Sequence, residues 1–340
     1  MLFGASTPVA KLLLGDGIAP QLLAGLFYLG SGLGLAAVLA LRRLAGRRNQ
    51  ETPLRRADLP RLGIAVLLGG TLAPALLLLG LARTSAAAAA LLLNLEGVAT
   101  MVIAWVAFHE NVDRRLLLGA LAITAGAVLL SSGGARGAAI GSAGFGSLLI
   151  AGACLSWGID NNVTRGLSGA DPLQITMIKG LVAGTVNVVL AMSSGAKLPD
   201  PAVLLLSALV GFFGYGISLT LFVRALRYLG AARTSAYFST APFIGAVLAL
   251  AAFSESLTVT IVVAGALMAA GVYLHLSESH SHEHVHGVME HEHSHTHDDH
   301  HQHFHDAGVV QGEPHAHRHR HAPLIHSHPH YPDLHHHHDH

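Results

Sequence analysis

Long apolar runs follow one another through residue 276, separated by short links that hold most of the arginines. Crossing about 30 Å of hydrocarbon takes roughly 20 apolar residues. Runs of that kind cover residues 19–41, 59–81, 84–107, 116–131, 142–165, 172–193, 202–226, 231–253 and 257–276, with a shorter one at 1–14. None alternates polar with apolar positions as a barrel strand would, and all are rich in Ala and Leu. Backbone groups in lipid must pair within their own segment, so the runs predict helices. The expected class is an all-α integral membrane protein of ten transmembrane helices, the first truncated, with a disordered tail.

The runs are internally similar. Ala82-Arg83-Thr84-Ser85-Ala86 returns as Ala232-Arg233-Thr234-Ser235-Ala236, and Ala107-Phe108-His109-Glu110 as Ala252-Phe253-Ser254-Glu255. Phe3-Gly4 with Val9 and Lys11 matches Trp157-Gly158 with Val163 and Arg165. The period is about 145–154 residues. About 15 apolar residues precede Trp157 but two precede Phe3, so residues are expected to be missing before Met1. The expected organisation is one five-helix repeat at 1–132, a second at 141–276, and a tail at 277–340. Five is odd, so the second repeat should enter the membrane inverted.

Positive charge tests that inversion. With the run at 19–41 heading inward, the inside links hold thirteen Arg and the outside links hold four cations, Lys11, Arg83, Arg136 and Lys197. This orientation puts the tail in the cytoplasm and the protein in a plasma or inner membrane.

Composition narrows the classes further. Charged residues are 12% of the chain against about 25% in soluble domains. Cys154 is the only cysteine, which excludes a disulfide scaffold. The basic cluster reads as a topology signal, so no nucleic-acid partner is expected. Neither an ATP-binding loop nor a covalent catalytic constellation appears, so no enzyme is expected and no cofactor is required. The expected partners are the lipid bilayer and a small-molecule substrate, with a homodimer possible.

The helical part resembles the EamA-type transporters of the drug/metabolite transporter superfamily. The resemblance is carried by Leu91-Leu92-Leu93-Asn94-Leu95-Glu96-Gly97-Val98 before Phe108-His109-Glu110, and by Thr240-Ala241-Pro242-Phe243 before Phe253-Ser254-Glu255. It departs from the family at Gly97, where a proline usually follows the Leu-Glu pair. The resemblance implies ten helices, cytoplasmic termini, and transport, usually outward, of small metabolites such as amino acids or xenobiotics. Inverted repeats would place a site at the midplane between two rocking halves. Gly30-Ser31-Gly32-Leu33-Gly34 and Gly211-Phe212-Phe213-Gly214-Tyr215-Gly216 would let helix backbones approach and slide.

Polar groups inside a membrane are costly and therefore functional suspects. Asn94 and Glu96 fall near the middle of their run, where Glu96 could hold a cationic group, take a proton, or stay neutral as a structural residue. Asp160, Asn161 and Asn162 follow Trp157 toward the cytoplasmic end, and Ser6 and Thr7 hold the corresponding outer place, a pairing that suits two gates or two helix ends. Trp157, Tyr215 and Tyr237 could wall a cavity or simply pack. Pro242 breaks its helix at the position matching Gly97. Lys179 is expected to snorkel to the cytoplasmic surface, and Glu110 and Glu255 to be interfacial.

Of 26 His, 25 lie from His275 onward. They repeat as His-x-His: His280, His282, His284 and His286, then His291, His293, His295 and His297, then His300, His301, His303 and His305. A further set is His315, His317, His319 and His321. Neutral imidazoles suit Zn, Ni, Co or Cu, so the tail predicts divalent-metal binding. Two alternatives to a metabolite carrier follow from it: a divalent transition-metal transporter, or a membrane-bound metal buffer or sensor.

Overall fold

The computed structural model describes residues 2–46, 51–108, 112–132 and 142–277, and in the tail 281–286, 289–295, 315–321 and 324–329. His109 and Glu110 lie outside the described residues, so their expected placement does too. Helices occupy the apolar runs. The short α1 (Leu2–Gly15) and long α2 (Pro20–Leu44) precede the continuous stretch Arg56–Leu81. That stretch joins α3 (Leu59–Ala65) to α4 (Ala73–Leu81) through a π-helical segment, Val66–Leu72. Next come α5 (Ala86–Leu92) and α6 (Leu95–Phe108), interrupted at Leu93 and Asn94, then α7 (Arg114–Ser132), α8 (Ser142–Arg165) and α9 (Pro172–Ser193). The stretch Pro201–Phe253 contains α10 (Pro201–Val210), a second π-helical segment (Gly211–Ile217), α11 (Ser218–Phe238) and α12 (Ala241–Phe253). α13 (Val259–Leu276) is the last helix before the tail.

Among the described residues, seven helical stretches are long and apolar enough to cross a membrane. Pro201–Phe253 has 53 residues, or about 80 Å of helix at 1.5 Å per residue, enough for two crossings. It turns back at Gly230, whose φ of 72° lies in the left-handed region that glycine adopts without strain. Helix starts are set locally. Pro20, Pro172 and Pro201 open their helices without wasting an N–H. Ser85, Asp171 and Thr258 accept backbone N–H groups from the first turns of α5, α9 and α13.

α2 runs along α9, α7 along α13, α1 packs on α12 and α8 on α6. The same offset that relates the sequence motifs relates these partners. The π-helical segments also correspond, Val66–Leu72 and Gly211–Ile217 standing 145 residues apart. So do the interruptions before Leu95 and Ala241.

The tail departs from the expectation of disorder. Its described residues form β1 (Ser281–His286), β2 (Met289–His295), β3 (His315–His321) and β4 (Leu324–Pro329). β1 pairs with β4 and β2 with β3, both antiparallel. Composition argued against a core, but His-x-His has the two-residue period of a strand, and a ladder needs only backbone partners.

Candidate functional site

The two π-helical segments and the two helix interruptions converge on one buried polar cluster. A π-turn shifts the backbone ladder and leaves carbonyls free to accept other donors. Gly69 is such a case: its carbonyl accepts from Tyr28 Oη at 2.7 Å and from Trp157 Nε1 at 2.9 Å. The missing side chain matters as well, because a Cβ at Gly69 would stand 1.9 Å from Asp160 Oδ2.

Asp160, on α8, is buried and forms an ion pair with Lys179 of α9. Thr164 Oγ1 donates to its other oxygen at 3.0 Å. One helical position on, Asn161 Nδ2 donates to Glu96 Oε1 at 3.0 Å and to Thr100 Oγ1 at 3.1 Å. Glu96 sits in the first turn of α6, directly after the interruption. Both carboxylates, Asn161 and Lys179 line a cavity of about 20 Å³, walled by Phe3, Tyr28, Trp157, Leu219, Phe222 and Phe238. That is room for about one water. A second cavity of about 10 Å³ adjoins Glu96 and is lined by Gly97, Ser235, Ser239 and Pro242, so the two interruptions face each other across it.

Several residues singled out from sequence are placed elsewhere. Asn94 is fully buried but closes the end of α5, donating to Leu91 O at 2.9 Å. Asn162 ties α8 to α6 through Thr100 O at 3.0 Å and also bonds Gly158 O. Ser6 donates to Phe3 O at 2.6 Å and packs against Gly214, while Thr7 is buried beside it. Tyr215 is buried against Phe3, Phe27 and Tyr28. Tyr237 is a correction: it is 54% exposed and walls neither cavity. An apolar helix offers no amphipathic stripe from which its inner face could be read.

Lys179 is a second correction. It does not snorkel, because Asp160 lies one helix away to neutralise it. Depth along the run could have flagged it; the partner could not be known. Phe3, Tyr28, Phe222, Phe238 and Gly69 carried no signal beyond being aromatic or small.

Both ends of the bundle are tied shut around this cluster. At one end, Lys11 Nζ donates to Leu81 O at 2.6 Å and to Thr84 O at 2.7 Å, and Glu255 accepts from Ala86 N at 2.8 Å and Ala87 N at 3.2 Å. At the other, the buried Arg227 donates to Ser168 O at 2.6 Å, Ala170 O at 2.9 Å and Glu51 Oε2 at 2.9 Å. Glu255 is thus more than an interfacial charge: it caps a helix of the other half.

Comparison with known proteins agrees with this architecture. The chain is 28% identical over 284 residues to a protein of Methanothermobacter thermautotrophicus described as an uncharacterized transporter, 81% of this chain and 82% of that one. A protein of known crystal structure has a similar fold, with a TM-score of 0.61 at 18% identity over 81% of this chain and 97% of that one. The EamA-like transporter family model matches twice, at residues 1–132 and 144–277. With those two matches on either side of the polar cluster, this chain belongs to the EamA-like transporter family, whose members are transporters and not enzymes.

Proposed function

We propose that the chain is a secondary transporter that exports a small zwitterionic metabolite, of the amino-acid type, by alternating access. The observation that carries this reading is the gathering of Glu96, Asp160 and Lys179 in one aromatic-walled cavity inside the helical bundle. Ionisable groups at membrane depth are costly and are retained where they handle a solute or a proton. In this reading the substrate's ammonium group goes to Glu96, its carboxylate competes with Asp160 for Lys179, and its apolar body rests on Trp157, Phe222 and Phe238. Aromatic faces also attract a cationic head.

Corresponding π-segments and interruptions in the two halves favour ten helices built as two inverted repeats, with the site at their interface. A cavity with room for a water, closed by Lys11 and Glu255 at one end and Arg227 at the other, suits an occluded conformer. Rocking would release one set of ties at a time. Positive charge on the links supports a plasma or inner membrane with the tail in the cytoplasm. The tail is a metal-binding appendage beside the transport pathway.

Vesicles containing the protein test this, with pooled amino acids and other metabolites screened beside Zn, Ni and Co. Movement of an organic solute that falls at least tenfold in Glu96→Gln supports the proposal. Metal movement that depends on both the tail and Glu96 would replace it with the metal-transporter reading. Metal binding without any transport would favour a buffer or sensor.

A further inference from the structure

The backbone register of the tail is specific in a way its composition does not require. In the β2–β3 ladder His291 stands opposite His319, His293 opposite His317 and His295 opposite His315. Alternate positions of a strand share a face, so these three pairs lie on one face of the ribbon. On the other face Glu290 stands opposite Arg320 and Glu292 opposite Arg318. Those two arginines are the only Lys or Arg in the tail. A slip by one residue would set His291 against Arg318 or Arg320, and a slip by two would leave one Glu–Arg pair in place of two. The β1–β4 ladder repeats the theme, with His282 opposite His328 and His284 opposite His326.

We propose that the β2–β3 ribbon is a preformed transition-metal site whose ligand set is drawn from the opposed histidine pairs, with its register set by the Glu–Arg pairs on the reverse face. Directly opposed residues have Cβ atoms about 4.5–5.5 Å apart, and the next pair on the same face follows within about 7 Å. Two neighbouring pairs therefore supply four imidazoles for a tetrahedral ion of the Zn or Co type, which binds nitrogen at about 2.0–2.1 Å. An unstructured chelator would have to order its chain around each ion. A ribbon with a fixed register has met that cost already. The proposal concerns the tail alone and stands or falls independently of what the helical bundle carries.

Cobalt titration of the full-length protein in detergent tests it, read by the visible absorption of tetrahedral Co²⁺ and repeated with Zn²⁺ competition. Buffer at about 0.5 M salt, where the screening length falls to a few Å, removes bulk charge effects. Glu290→Arg with Glu292→Arg leaves every histidine in place yet should weaken cobalt binding at least tenfold. Adding Arg318→Glu and Arg320→Glu should restore it. Unchanged affinity in the first variant, or no recovery in the second, would overturn the proposal. A second comparison sets His291→Ala, His293→Ala and His295→Ala against His300→Ala, His301→Ala and His303→Ala. Loss of the tetrahedral band only in the first supports the ribbon. Equal losses would mean a nonspecific chelator and overturn it.

Discussion

Around the central cavity, positions that correspond in the two halves carry opposite kinds of residue. The offsets that align the repeats match Glu96 with Ala241, Asp160 with Ser6 and Lys179 with Phe27. Gly69, which cradles Asp160, corresponds to Gly214, which packs on Ser6. Trp157, bonded to Gly69 O, corresponds to Phe3, which has no such donor. The scaffold is thus repeated, down to its π-segments and interruptions, while the charge is kept in one copy. Backbone geometry serves the motion of both halves, whereas a binding site between them needs its charges only once. The apolar copy supplies the opposing wall.

The largest expected effect breaks the charged half directly. Lys179→Met strands Asp160 as an unpaired buried carboxylate and should cost about 3–5 kcal/mol of stability, read by unfolding in nanodiscs. Adding Asp160→Leu should recover most of that loss without restoring transport. The two cradle glycines give a sharper comparison. Gly69→Ala places a methyl 1.9 Å from Asp160 Oδ2, while Gly214→Ala places one 3.2 Å from Ser6 Cβ. The first should cost about 1–3 kcal/mol, as overpacking does, and the second clearly less. Trp157→Phe makes the charged half resemble its counterpart at that position. Losing the hydrogen bond to Gly69 O should cost about 1 kcal/mol and loosen the π-segment, seen as faster amide exchange there. Ser6→Ala should change stability and transport least, since it removes one local bond to Phe3 O.

The fold was legible because lipid leaves so few options. An apolar run of sufficient length must be a helix, and repeated motifs at one period must repeat its packing. Ala231–Phe253 needed only Gly230 to separate it from the run before. The site was legible in part, since polar residues stand out in apolar runs: Glu96, Trp157, Asp160, Asn161 and Pro242 are brought together at the two cavities. What could not be read was partnership and facing. Lys179 at a given depth can reach water or a carboxylate, and only the neighbouring helix decides. Tyr237 sits among apolar residues on every side of its helix, so no stripe marks it as outward. In the tail, composition spoke for disorder while the spacing of His291, His293 and His295 already matched a strand.

The central claim is that the site's chemistry resides in one half. Equilibrium binding of the solute picked out by the vesicle screen, measured on purified Glu96→Gln and Ala241→Gln side by side, tests it most directly. The account predicts at least tenfold weaker binding for Glu96→Gln and less than a twofold change for Ala241→Gln. Equal losses in both, or wild-type binding in Glu96→Gln, would contradict it.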